Sequence, residues 1–297
     1  MHSLEPIFIT RRMLPRRWGR TDLGAWCAEA LKPAMAVGEV WVLHPGNVTA
    51  DGAHFGAHLS ETPQEMLGEL GRAPPSLRLV ATSALTDPLF ADTGVTYWRV
   101  LEADPRATIE ASIDGRMGRR LRCKPGDAFR VSEDAGVKFS AGVVALEARA
   151  GFLPRNRAEK KPPLMRVERE PKQARATLMR DFALSVERWR LPAASRLEPN
   201  GETCHVLMAL TPGVAVDNKP LGKGEAVFIP ACGRRVDVFG AGAEVLAAYP
   251  DMVPTSIWRH APEPDPSAAA LSRPAPAQGA TMFDQGGVGP PGFAAAA

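Results

Sequence analysis

Short apolar runs with a period of two, broken every few residues by glycine, proline or Asx turns, constrain this chain more than any other feature. The stretches 108–113, 120–123, 128–132 and 142–148 alternate apolar and polar residues, and Asp114-Gly115 and Pro125-Gly126-Asp127 divide them. A second series follows at 182–190, 205–210, 214–216, 226–230, 235–239 and 244–249, divided by Asn200-Gly201, Pro212-Gly213, Asp217-Asn218 and Gly222/Gly224. That pattern predicts antiparallel sandwiches or barrels, in tandem. One helix start is written in the chain. Thr62-Pro63-Gln64-Glu65 supplies a capping hydroxyl, a first-turn proline and a Glu at the third helical position, predicting a short helical element near 62–71.

Between the two series, residues 154–178 turn charged and proline-containing, as an interdomain connector does. The expected organisation is therefore 1–153 for an N-terminal segment with the first barrel, 154–178 for a charged linker, 179–261 for the second barrel, and a tail over 262–297. The 36-residue tail holds 7 Pro, 10 Ala and 5 Gly and has little to bury, so it is expected to be disordered, with Met282, Phe283 and Phe293 available to dock a protein partner.

Composition narrows the function classes. A net charge of +3 with 6% aromatic residues gives no basic, aromatic-interleaved stripe, so no nucleic-acid partner is expected. No apolar run of about 18 residues occurs, so no membrane span is expected. The first twenty residues contain Arg11, Arg12, Arg16, Arg17 and Arg20 in place of a secretory h-region. Cys27, Cys123, Cys204 and Cys232 show no Cys-x-x-Cys spacing, and a cytoplasmic setting is the simplest expectation. Nucleophile-elbow, Walker and dinucleotide glycine motifs are absent.

Several local signatures follow one another in order. Arg17-Trp18-Gly19-Arg20 precedes Val37-Gly38-Glu39-Val40-Trp41, then Asp51-Gly52-Ala53-His54-Phe55-Gly56, then Tyr97-Trp98-Arg99-Val100-Leu101-Glu102-Ala103, then Lys124-Pro125-Gly126-Asp127. The segment His205 to Pro230 continues the series. This ordered set resembles the short bacterial form of the type I phosphomannose isomerases, double-cupin metalloenzymes, over roughly residues 5–250. The resemblance implies two cupin-like jelly-roll barrels and, in the family, aldose–ketose isomerisation of a sugar phosphate on a zinc held by Gln-x-His, Glu and a further His.

The ligand pattern breaks here. The positions that the resemblance assigns to the metal ligands fall on Val80, Thr82, Thr96 and Val137, which cannot replace imidazole and carboxylate. No metal or other cofactor is therefore expected. Trp18 and Glu39 match pocket-lining positions and are the candidate substrate-binding residues. Arg157, ten residues after Glu147, matches an arginine that the family uses in catalysis. A buried aromatic anchor for Trp18, a salt bridge to Arg16, Arg17 or Arg20 for Glu39, and a solvated linker charge for Arg157 are the plainer readings. The expected function is a metal-free homologue that binds a sugar or sugar phosphate, or regulates, in carbohydrate metabolism. Two alternatives stand beside it: an active mannose-6-phosphate isomerase whose metal site is rebuilt from His44, His54 and His58, and a non-catalytic scaffold.

Overall fold

The computed structural model describes residues 4–260, apart from 28–34, 70–72, 91–95, 114–115, 133–134, 152–163, 168–173, 182 and 252–254. Arg157 and the tail over 262–297 lie outside the described residues. The first part of the chain forms β1 (Ile7–Thr10), β2 (Arg12–Arg20), β3 (Val37–Leu43), β4 (Val48–Thr49), β5 (Ser76–Ala81) and β6 (Thr96–Ala103). It continues with β7 (Thr108–Ile113), β8 (Arg116–Arg122), β9 (Ala128–Val131), β10 (Ala135–Phe139), β11 (Val143–Arg149) and β12 (Leu164–Val167). The second part forms β13 (Arg175–Asp181), β14 (Leu184–Arg190), β15 (Ala194–Leu197), β16 (His205–Ala209) and β17 (Val214–Val216). After these come β18 (Lys219–Leu221), β19 (Ala226–Ile229), β20 (Val236–Phe239), β21 (Glu244–Tyr249) and β22 (Trp258–His260).

The strands build four sheets. A seven-stranded sheet in the order β12-β9-β6-β11-β5-β3-β2 faces a three-stranded sheet β10-β7-β8 across an apolar core that includes Val80, Trp98, Phe129, Val137 and Phe139. A second seven-stranded sheet, β13-β14-β21-β16-β19-β1-β4, faces the five-stranded sheet β18-β17-β20-β15-β22 across a core that includes Trp189, Leu207, Val227 and Val245. Every strand pair is antiparallel, so both halves are sandwiched barrels. The opposite faces of the two large sheets share a third core, in which Leu77, Leu79 and Leu146 of one meet Val206, Phe228 and Leu246 of the other. Each large sheet is thus apolar on both faces, which is why β11 is buried along its whole length.

Three features differ from the expected organisation. The N-terminal strand β1 joins the second barrel's sheet, pairing Ile7 with Phe228 and Phe8 with Val227, because an apolar edge gains more by closing that sheet than by lying alone. Within the segment expected to be a linker, Leu164–Val167 pairs with β9, and Leu164 is fully buried in the first barrel's core; the surrounding lysines and arginines obscure this short apolar run in the sequence. The helical element is two helices rather than one: α1 (Phe55–Glu61) and α2 (Pro63–Leu67). The phenyl ring of Phe55, buried against Phe228 at 5.0 Å between centroids, holds α1 in a segment flanked by Gly52 and containing Gly56, residues that favour loop. Thr62 makes no side-chain cap bond, and α2 ends at Gly68 with φ +89°, earlier than Gly71. The Asp217-Asn218 turn forms as read, with φ of +49° and +63°, the two left-handed residues that a type I′ hairpin requires.

Candidate functional site

Antiparallel register aligns side chains in rows across the inner face of the first large sheet. Trp41 pairs with Arg78, Arg78 with Glu147, Glu147 with Trp98 and Trp98 with Phe129. In the neighbouring row, Glu39 adds a carboxylate, while Val80 and Ala145 belong to the apolar core. Polar residues therefore collect at one end of the barrel interior. Arg78 is their centre, with only 7% of its side chain exposed.

Arg78 donates from Nε to Glu147 Oε2 in a very short contact, and from Nη1 to Glu39 Oε2 at 2.9 Å. Arg149 Nε lies 3.0 Å from the same Glu147 oxygen, and Arg16 Nε donates to Glu39 Oε1 at 2.6 Å. The Arg78 guanidinium also lies 5.5 Å from the Trp41 ring centroid and 5.8 Å from that of Trp98. Three guanidinium groups, those of Arg16, Arg78 and Arg149, meet the two carboxylates of Glu39 and Glu147. The Nη2 of Arg78 is buried and has no hydrogen-bond partner. Burial by itself would raise the Glu39 carboxyl, but Arg78 and Arg16 outweigh it and hold the group below its ordinary value. Burial pushes Arg78 the other way, and Glu147 with Glu39 more than restores it, so the guanidinium is charged at every working pH.

Glu39 thus joins the cluster, and its position depends on Gly38. A Cβ at Gly38 would come 2.5 Å from Arg16 Cβ and 2.6 Å from the Trp18 ring, so only glycine lets β2 cross β3 here. Trp18 is buried at 2% exposure in the first barrel's apolar core, and its carbonyl accepts from Ser83 N–H at 2.8 Å, the arrangement of an anchor. Arg78, Trp41, Trp98, Glu147 and Arg149 stand with Glu39 although the sequence reading did not select them. Alternating charge within otherwise apolar strands was the available signal.

Val80 and Val137 share the apolar core, and neither has a lone pair to offer. The main chain of Val137 exchanges hydrogen bonds with Leu89 at 2.8 and 2.9 Å. Thr82 Oγ1 donates to Ser140 O at 2.7 Å and accepts from Val143 N–H, while Thr96 Oγ1 accepts from Trp98 Nε1 at 3.1 Å. Two valines and two engaged hydroxyls do not make a donor set for a divalent cation. The histidines of the alternative site stand apart: His44 Nδ1 accepts from Gly46 N–H, His54 occupies the N-cap position of α1 without a side-chain cap bond, and His58 Nε2 lies 3.6 Å from Asp51. Among the described residues, no three His, Cys, Asp or Glu side chains are grouped to hold a metal ion.

The second barrel has a counterpart. Glu187, fully buried, accepts from Arg175 Nε and Nη2 at 2.7 and 3.0 Å, from Trp189 Nε1 at 2.7 Å and from Tyr249 Oη at 2.9 Å. Burial first, then the Glu187 charge, pushes the Tyr249 hydroxyl up to about 12. Arg175 also donates to Thr255 O, and His205 Nε2 lies 2.7 Å from Thr255 Oγ1. This carboxylate is saturated with donors, whereas the first barrel retains an Arg78 N–H without an acceptor. The first barrel is therefore the candidate site.

Full burial pushes His205 down to about 3. The folded chain holds this imidazole neutral while the unfolded chain protonates it below about 6.5, so the stability is present above that pH and is lost as pH falls toward 3. Each pH unit well inside that window should cost up to about 1.4 kcal/mol. Between pH 6.5 and 5, where carboxylates held low still stay ionised, urea unfolding should show this slope, and it should flatten in His205→Gln. An equal slope in both proteins would rule the assignment out.

The fold is a cupin-like double barrel with a charged cluster inside the first barrel. No protein-family model and no curated relative matches the chain. Among solved structures it is similar to the mannose 6-phosphate isomerase of Bacillus subtilis, at 18% identity and a TM-score of 0.65, covering 82% of this chain and 99% of that one. It is also similar to the apo mannose 6-phosphate isomerase of Salmonella typhimurium, at 12% identity and a TM-score of 0.64, covering 84% and 100%. The chain has the phosphomannose isomerase-like cupin fold. Among the described residues, no helix is long and apolar enough to cross a membrane.

Proposed function

We propose that the chain is a metal-independent binding protein for a hexose phosphate, built on the isomerase-like fold and without isomerase turnover. The buried Arg78 Nη2 carries this reading: a donor without an acceptor, in a cluster where three guanidinium groups stand together, suits an anionic, oxygen-rich ligand. Arg16, 42% exposed at the rim, links the cluster to solvent. Arg149 stands beside Arg78 across Glu147, and the Trp41 and Trp98 rings offer apolar walls to a sugar. Val80 and Val137 support the absence of a metal-assisted proton transfer. The same fold at 18% identity supports the ligand class, because the Bacillus subtilis protein is a mannose 6-phosphate isomerase.

Thermal unfolding with mannose 6-phosphate or fructose 6-phosphate, beside a coupled isomerase assay with and without added zinc, tests this reading. At a ligand concentration of about 100 times Kd, stabilisation of about 2.7 kcal/mol should raise Tm by roughly 5–10 °C, with no turnover. Turnover with stoichiometric bound zinc would favour the rebuilt isomerase. No shift with either sugar phosphate, and none with inorganic phosphate, would leave the scaffold reading.

A further inference from the structure

Arg78 Nη2 is buried, so a ligand reaches it only if part of the barrel mouth moves. The large sheet is a poor candidate for that movement. Its inner strands are paired on both sides, and Trp98 among them is fully buried. Residues 83–90 lie along β10 and are held unequally. Thr86 N–H donates to Phe139 O, Thr86 Oγ1 accepts from Phe139 N–H, and Leu89 exchanges two main-chain bonds with Val137. Thr86 and Leu89 are both buried. Past Leu89 the hold weakens. The Phe90 carbonyl accepts from Arg149 Nη2 at 3.3 Å, beyond the usual N–H···O range. The Phe90 ring rests on Gly136, where a Cβ would come 2.7 Å from it, and the residue is 55% exposed, so lifting it uncovers little apolar surface. Arg149 is buried beneath, against Glu147 and 5.7 Å from the Trp41 centroid.

We propose that Phe90 is a latch on the hexose phosphate site: a phosphate oxygen of the entering ligand replaces the Phe90 carbonyl on Arg149 Nη2, and Phe90 lifts off Gly136. Thr86 and Leu89 stay in place. The latch rests on reading the Arg78 cluster as that site. Arg149 exchanges a neutral carbonyl for an anionic oxygen, the stronger acceptor, and the released carbonyl turns to water. Until a ligand arrives, the carbonyl keeps this donor from being buried and unmatched. The exchange sets a preference as well. Only a ligand that binds the open state better can shift the balance, so a phosphorylated sugar opens the latch and the free sugar does not.

Leu89 and Val137 form a hydrogen-bonded pair, which sets Phe90 opposite Gly136 with Cα atoms about 4.5 Å apart, within reach of a disulfide. The test protein is the full chain carrying Phe90→Cys and Gly136→Cys, with Cys232→Ser to remove the exposed thiol. In isothermal titration calorimetry, the oxidised protein should bind mannose 6-phosphate at least tenfold more weakly than the same protein reduced with dithiothreitol. Equal affinity in the two states would overturn the latch and leave the site standing, as would binding by wild type but not by the reduced variant. No binding by wild type would overturn the site itself, and the latch with it. Gly136→Ala supplies an independent arm, because its Cβ crowds the Phe90 ring. Stopped-flow tryptophan fluorescence should show association with mannose 6-phosphate at least threefold faster than in wild type; an unchanged rate would overturn the latch.

Discussion

Replacing Arg78 with methionine should destabilise the folded chain by about 3–5 kcal/mol, because it leaves Glu39 and Glu147 facing each other's surroundings with one guanidinium fewer apiece. Arg16 and Arg149 remain on the two carboxylates, which places the loss toward the lower end of that range. Urea unfolding at pH 7 gives the magnitude. Adding Glu147→Gln to the same chain should recover part of the loss, since a stranded carboxylate costs more than an amide in the same place; this non-additivity identifies the cluster as one unit. Acidification should narrow the gap between wild type and Arg78→Met, because the variant can neutralise its carboxylates by protonation. Arg78→Met should also abolish any stabilisation by hexose phosphate, while an unchanged response to the sugar phosphates would remove Arg78 from the binding site.

Glu187→Leu should be the other severe substitution. It removes the acceptor for four donors, of which Trp189 Nε1 and the Tyr249 hydroxyl are buried and have nowhere else to turn. Arg175, about one-third exposed, can reach water, so the cost should again be about 3–5 kcal/mol and not the sum of four lost bonds. Trp189 stacks on Trp258 at 4.9 Å with the rings 3° from parallel, and this pair gives the near-ultraviolet circular dichroism a readout local to the second barrel. Glu187→Gln keeps one acceptor and should lose less. Equal stability of Glu187→Leu and wild type would mean that the cluster contributes no net energy to the barrel. Because this carboxylate has no free lone pair to spare, neither variant should alter the response to hexose phosphate.

Part of the molecule was legible in the residues. Strands β7, β17 and β21 occupy the stretches 108–113, 214–216 and 244–249 that alternation marked, and Asp217-Asn218 turns where Asx residues suit left-handed backbone. These are local matters, decided by side-chain period and by which residues tolerate positive φ. The ordered motifs also led to the fold, because turn residues such as those of Pro125-Gly126-Asp127 mark where one strand ends and the next begins. Leu164–Val167 and α1 were hidden for the complementary reason. Each is a short run whose stability comes from a distant partner, β9 for one and Phe228 for the other.

The candidate site divides along the same line. From the sequence came the all-β double-barrel plan and, through the resemblance, the expectation that Val80, Thr82, Thr96 and Val137 stand where the family has metal ligands and that Glu39 lines a pocket. Only tertiary structure brought Arg16, Arg78, Glu147 and Arg149 together, since those residues span three strands, and register and pleat decide which side chains share a face. It also decided that β1 closes the second barrel's sheet and that Arg78 Nη2 stays buried without an acceptor. Composition and period are properties of neighbours in the chain, whereas the placement of a buried charge depends on what the rest of the fold brings against it.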